Sequence, residues 1–378
     1  MPTVRAITMW DFSWLERRWP GAGYEDWDRA LDELLVRGYD AVRIDPYPHL
    51  VAAGPERSWS LVPIWDQNDW GAPGPVEVRV LPELTDFVER CARRGIAVAL
   101  SSWFRPETTG TALAAIRTPQ DLARVWTATL DALAAAGLLD SLLYVDLCNE
   151  FPMPLWAPWL GREDTPSRRE PEMRRWMTEA LSALRQAHHG LPYCFSFATE
   201  LPGWREEDVS MHDLLEPHVW MSHGEVSEFF DDVGYDLDNC AFDPRQWANM
   251  AAHGERVYRG KPAHWAGKLR AAVHEMAEWS RTSGKPLVTT EAWAVINYKD
   301  WPAADWGWVK ELCEIGVYEA LTTRRWAAVC TSNFCGPQFH GMWADVAWHQ
   351  RLTTAIRSAT SDLWLSPTKE PAWDRPRS

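Results

Sequence analysis

No run of eighteen apolar residues occurs in the 378-residue chain, so no membrane-spanning helix is expected. Nor is there a CxxC pair. The seven cysteines (Cys91, Cys148, Cys194, Cys240, Cys313, Cys330 and Cys335) are odd in number, and several sit in apolar strands where a free thiol acts as a small hydrophobe. Buried reduced thiols suit a reducing compartment. The start, Met1-Pro-Thr-Val, has no basic stretch followed by an apolar one, which favours a cytoplasmic protein, or a secreted one if a leader has been trimmed. No Gly-x-Ser-x-Gly elbow is present, which argues against a serine hydrolase of that type. No glycine-rich phosphate loop follows the first strand, against a doubly wound nucleotide-binding sheet. A metal-dependent hydrolase would want His-x-His on strand one, but the chain has Thr8-Met-Trp-Asp11 there and scatters its eleven histidines. Neither a metal nor an organic cofactor is expected. Positive charge is short as well: 38 Lys and Arg against 53 Asp and Glu leave a net charge of −15. That sign repels phosphate and excludes nucleic acid or an anionic membrane as partner.

Tryptophan is abundant, with 26 in the chain. The indole face attracts the polarised C–H groups of a pyranose, although most large rings fill cores. Trp10, Trp103, Trp156, Trp159, Trp204, Trp293 and Trp343 fall just beyond expected strands, where core filling explains less.

Short apolar runs alternate with amphipathic stretches. Strands are expected near Val4–Met9, Ala41–Asp45, Ile96–Ser101, Leu142–Asn149, Tyr193–Thr199, His218–Ser222, Leu287–Thr290 and Ala327–Ser332. Helix patterns lie near 25–37, 82–94, 119–136, 170–188, 206–215, 263–283, 306–320 and 345–358, several ending in Arg-Gly or His-Gly. Eight strand–helix units close a parallel α/β barrel, the (β/α)8 or TIM barrel, and right-handed crossovers leave few alternatives. The whole chain, 1–378, reads as one catalytic domain with a Pro-rich tail from Ser366 to Ser378. Long segments 46–80, 151–169 and 223–262 all follow strands, so they crown the C-terminal face and suggest a walled pocket for a short or terminal sugar.

Two strands end in glutamate. Leu142–Asn149 runs into Glu150, and Pro286-Leu-Val-Thr-Thr runs into Glu291. A carboxylate at the open end of a buried strand is costly without a task, and a pair of them is the minimum equipment for glycoside hydrolysis. Arg43, at the end of strand two, is expensive there without a carboxylate partner; Asp45 and Asp11 are alternatives to Glu291. The amide of Asn149 suits a sugar 2-hydroxyl, or simply a turn ending the strand. His218 and His223 bracket strand six, and either could face the pocket. Asp11, Glu200 and Glu225 also follow strands; hydroxyl binding is the role expected of such acids, Asp45 included. Trp10, Trp103 and Trp293 are candidate sugar platforms.

Asn149-Glu150 after strand four, with Glu291 after strand seven, resembles the clan A type of retaining (β/α)8-barrel glycoside hydrolases, in its cellulase-like, sugar-binding cellulase-like branch. The resemblance spans residues 4–358. It implies Glu150 as acid/base, Glu291 as nucleophile and Arg43 as a hydrogen-bond donor to Glu291. It further implies His218 with an aromatic two residues on, here Trp220, as part of the site, and Trp343 as the floor of the sugar subsite. The clan's usual aromatic is tyrosine, often bonded to the nucleophile; Trp220 has no hydroxyl to offer. The implied activity is a retaining glycosidase on a small carbohydrate, acting by double displacement. Alternatives are a transglycosidase using the same intermediate and a non-catalytic carbohydrate-binding barrel.

Overall fold

A computed structural model describes residues 2–63, 70–221, 228–236, 244–296, 298, 300 and 304–365. Eight parallel strands surround a common axis: one (Arg5–Asp11), two (Ala41–Ile44), three (Ala97–Ser101), four (Leu142–Asp146), five (Tyr193–Cys194 and Ser196–Phe197), six (Glu216–Pro217 and Val219–Trp220), seven (Leu287–Thr289 and Ala292–Trp293) and eight (Trp326–Cys330). A continuous sheet runs seven–eight–one–two–three–four–five. Two short ladders complete the ring: Ser196↔Glu216 and Phe197↔Pro217 join five to six, and Val219↔Ala292 and Trp220↔Trp293 join six to seven. The chain is a (β/α)8 barrel.

The strands are short, apolar and buried on both faces, as parallel strands sandwiched between a barrel interior and a helical ring must be. Strand four (LLYVD) and strand eight (WAAVC) have every residue buried. The outer ring comprises Trp27–Val36, Glu83–Arg94, Pro119–Ala135, Pro171–Ala187, Pro262–Ser283, Gly307–Thr323 and Val346–Ser358. Local chemistry sets their ends. Thr118 and Asp121 form a reciprocal capping box ahead of Pro119, and Gly95, at φ +71°, closes Glu83–Arg94 in the left-handed conformation a side chain resists.

One expected helix is absent. Segment 206–215 is a 3-10 turn (Leu201–Glu206) followed by irregular chain. Asp208 accepts from the Ser210 N–H (3.0 Å), a backbone donor that a helix would have used, and His212 Nδ1 ties the segment to strand five by accepting from the Phe195 N–H (3.2 Å). Conversely, the long segment after strand six contains two helices, Glu228–Val233 and Pro244–Gly260. The segment after strand two contains the helix Pro48–Ala53 and an antiparallel ribbon, Ser58–Leu61 with Val76–Arg79. His223, Glu225, Trp65, Cys240 and the tail 366–378 lie outside the described residues.

The C-terminal rim is fastened by buried polar bonds. Glu16, after strand one, accepts two bonds from Arg105 after strand three (2.7 and 2.9 Å). It also accepts from Tyr47 Oη (3.1 Å) and the Ala72 N–H (3.1 Å), both after strand two. Five of the six non-glycine residues with positive φ among those described (Asp11, Tyr47, Phe104, Glu150 and Glu200) end or follow strands one to five. Such conformations cost roughly 1–3 kcal/mol each and persist where surroundings over-determine them.

Candidate active site

Glu150 and Glu291 enter the mouth of the barrel from strands four and seven. Four bonds pin the turn after strand four. Asp146 accepts from the Ser196 and Cys148 N–H groups (2.9 and 3.3 Å), the Asn149 N–H donates to the Ser102 carbonyl (2.9 Å), and the Glu150 N–H donates to Ser196 Oγ (2.8 Å). These contacts hold Glu150 at φ +49°, in the left-handed region. Strand seven breaks at Thr290-Glu291. There the Glu291 carbonyl accepts from the Val219 N–H (3.2 Å), fixing the side chain against strand six.

The two carboxylates converge on one imidazole. His218 Nδ1 is 2.8 Å from Glu150 Oε1 and 3.7 Å from Glu291 Oε2. One oxygen of each glutamate lies within 4.8 Å of the other. Their remaining partners differ. Glu150 Oε2 accepts an indole N–H, from Trp156 (3.2 Å), and its side chain keeps 14 % exposure. Glu291 Oε1 is ion-paired to Arg43, and its side chain is 8 % exposed. Burial pushes the Glu150 carboxyl up to about 7, opposed by the Trp156 bond and the Arg43 charge. Burial raises Glu291 as well, opposed by the neighbouring His218 and by the Arg43 guanidinium. His218 is pushed down to about 4 by burial and is a neutral imidazole near pH 7.

Glu150, His218 and Glu291 have the donor types and closeness of a metal triad. A cation there would face the Arg43 guanidinium already bonded to Glu291, and His218 Nδ1 is already engaged with Glu150. The donors fit a hydrogen-bonded cluster better than a metal centre.

Asn149 is fully buried, and among the described residues neither its amide nitrogen nor its amide oxygen has a hydrogen-bond partner. A buried amide of this kind beside Glu150 is suited to polar ligand atoms. Trp103 completes this wall: its ring meets Trp156 edge-on (4.6 Å) and lies 5.8 Å from the Arg43 guanidinium carbon. Trp220 is buried and in register with Trp293.

Other expected sugar-facing residues are elsewhere. Trp343 packs in the outer layer: the Arg37 guanidinium lies 4.0 Å over its ring, Tyr39 stacks on it, and its N–H donates to Glu33 (2.9 Å). It is therefore not the subsite floor. Trp10 points outward against Tyr24 and Phe87, because Met9 faces inward to touch Arg43 and neighbours on a strand alternate. Trp293 also points outward, against the helix Gly307–Thr323, where Gly316 leaves room for its ring. Asp45 is sealed in the rim, accepting from the Tyr47 and Trp103 N–H groups (2.7 and 2.8 Å), so it braces backbone and does not reach a ligand. Glu200 is engaged by the Arg168 N–H (3.0 Å) and the Arg169 guanidinium (3.2 Å). Asp11 is buried and holds Ser13 through its N–H (2.6 Å) and hydroxyl (3.0 Å).

Three contributors were not anticipated. In the sequence Trp156 is only one of several post-strand rings. Ser196 and Glu216 line the barrel interior; Glu216 stands two residues before His218, and period-two reading of Glu-Pro-His would have put both on one face.

A (β/α)8 barrel with two glutamates meeting at the ends of strands four and seven is the architecture of a barrel glycosidase. The chain belongs to the sugar-binding cellulase-like family, whose pattern it matches over residues 7–357. A crystal structure from Parabacteroides distasonis ATCC 8503, provisionally named a glycoside hydrolase, is 47% identical, covers 96% of each chain and superposes with a TM-score of 0.92. More distant structures share the fold alone. The cellulose synthase subunit Z of Clostridioides difficile is 10% identical (TM-score 0.52; 90% of this chain, 99% of that one). A Streptomyces cattleya protein, GH5_18, solved with GlcNAc, is 12% identical (TM-score 0.51; 93% and 81%). No curated protein matches the chain.

Proposed function

We propose that the protein is a retaining glycosidase acting on a short or terminal glycoside. The observation that carries this reading is the asymmetry of two closely spaced carboxylates. Retaining enzymes hold their carboxyl groups about 5–5.5 Å apart, whereas inverting enzymes leave about 6.5–9.5 Å for a water. The approach of Glu150 and Glu291 within 4.8 Å supports the former. Glu150, with a pKa pushed to about 7, retains a proton in neutral solution and delivers it to the leaving oxygen. Glu291, held by Arg43, attacks the anomeric carbon as a carboxylate and forms the glycosyl-enzyme. Glu150, now ionised, takes a proton from the incoming water; its oxygen then displaces Glu291 from the sugar. The unpartnered Asn149 amide binds the 2-hydroxyl, a contact that strengthens as positive charge grows at the anomeric carbon.

A screen of aryl glycosides identifies the sugar, and NMR of the first-formed anomer tests the mechanism. Retention is expected, with Glu291→Gln inactive on every substrate. Inversion would overturn the covalent step. Accumulation of longer sugars at high acceptor concentration would identify transglycosylation from the same intermediate.

A further inference from the structure

Arg43 has a second carboxylate partner. Glu216 opens strand six, is fully buried, and gathers three donors on Oε1: Arg43 (3.3 Å), the Tyr144 hydroxyl (2.9 Å) and the Thr290 hydroxyl (2.6 Å). Oε2 lies 4.0 Å from the Cys194 sulfur, whose thiol is a weak donor. Asp146, from strand four, is a third buried carboxyl in the field of Arg43. Asp146 is satisfied by neutral donors, namely Ser101 Oγ (2.7 Å) and two backbone N–H groups. Among the groups facing Glu216 (Arg43, Tyr144, Asp146, Cys194, Thr290 and the neutral His218 on its own strand), Arg43 is the one cation.

One guanidinium cannot neutralise three buried carboxylates, and an uncompensated buried charge is strongly unfavourable. Glu291 must be ionised to act as nucleophile. We propose that Glu216 is a positioning residue which anchors Arg43 as an un-ionised carboxylic acid, leaving the guanidinium charge to Glu291. This rests on the reading of Glu291 given above. The donor pattern agrees: hydroxyls and guanidinium converge on the carbonyl-like Oε1, whereas among the described residues Oε2 meets no donor stronger than the Cys194 thiol, which leaves Oε2 to carry the proton. Burial, reinforced by Asp146, pushes the carboxyl up to about 8 against the pull of Arg43.

The test compares Glu216→Gln with Glu216→Ala. Gln keeps the accepting oxygen and replaces O–H by N–H, so kcat and KM on an aryl glycoside should stay within about twofold of the parent, with the acid limb of the pH profile unmoved. Ala should lower kcat by about tenfold or more with little change in KM, a loss that Gln restores. Difference infrared spectroscopy of the parent protein against Glu216→Gln, without substrate at pH 7, should show the carbonyl band of a protonated carboxylic acid in the parent. That readout needs no activity, so it separates failure of this inference from failure of the glycosidase reading. An acid limb shifted down by about one unit in Glu216→Gln would show that an ionised Glu216 had competed for Arg43, and would overturn the proposal. So would absence of the carboxylic acid band, or a Gln variant that fails to fold.

Discussion

Replacing Trp156 with phenylalanine should carry activity to higher pH. The indole N–H donates to Glu150 Oε2 at 3.2 Å, and this bond favours the ionised form, opposing the burial that lifts the pKa to about 7. A neutral donor at that length is worth about 1 kcal/mol to the carboxylate, or roughly 0.7 pH unit. Without it the alkaline limb should move from about 7 to roughly 7.7. At pH 8 the protonated fraction then rises from about one-eleventh to about one-third, so kcat/KM relative to its plateau should increase about three- to fourfold. Phenylalanine retains a ring against Trp103, 4.6 Å away in the parent, so the wall should survive. The assay is kcat/KM against pH on a substrate whose leaving group needs protonation. A limb that stays in place, or moves down, would show that Glu150 is not the group being titrated or that Trp156 does not control it.

Glu150→Ala should abolish cleavage of poor leaving groups while sparing activated aryl glycosides, with azide restoring turnover; equal loss on both without rescue would refute the acid/base role. Trp343→Ala should cost about 3–5 kcal/mol in denaturant unfolding, as large core truncations do, and leave KM unchanged. A variant with normal stability and weakened sugar binding would return Trp343 to the site. Thermal midpoint should peak near pH 6. Glu150, Asp45 and Glu216, with folded pKa values of about 7, 7 and 8, favour folding fully below the ordinary carboxylate range, and that contribution is lost as pH rises through 7 to 8. His49, His212, His218 and His349, pushed down to about 4, 3, 4 and 3, favour folding above pH 6.5, and that contribution is lost as pH falls toward 4. A midpoint still rising at pH 8.5 would contradict these burials.

The barrel was legible because its strands are short apolar runs buried on both faces and its helices have strong stops. Glu150 and Glu291 were legible because a charge at the end of such a run stands out. Direction was harder to read. Trp10 and Trp293 do follow or end strands, but alternation turns both rings outward, and Met9, not Trp10, meets Arg43. Trp343 lies in a helical turn after strand eight, where position along the chain says little about facing. The missing helix at 206–215 failed where Asp208 took the Ser210 N–H and His212 tied the segment to strand five. Glu216 is hidden in the sequence because the recognisable run of strand six starts only at His218, two residues after the strand itself begins.

Glu16 has a consequence for altering specificity. Its single carboxylate clasps Arg105, Tyr47 and Ala72, so the segments following strands one, two and three form one fused arch. Exchanging any one of these segments with a relative's would strand the clasp's remaining members, a buried guanidinium among them. Natural or engineered change of the sugar recognised must therefore replace that arch as a unit, or come from the segments after strands four to eight, to whose described residues Glu16 makes no bond.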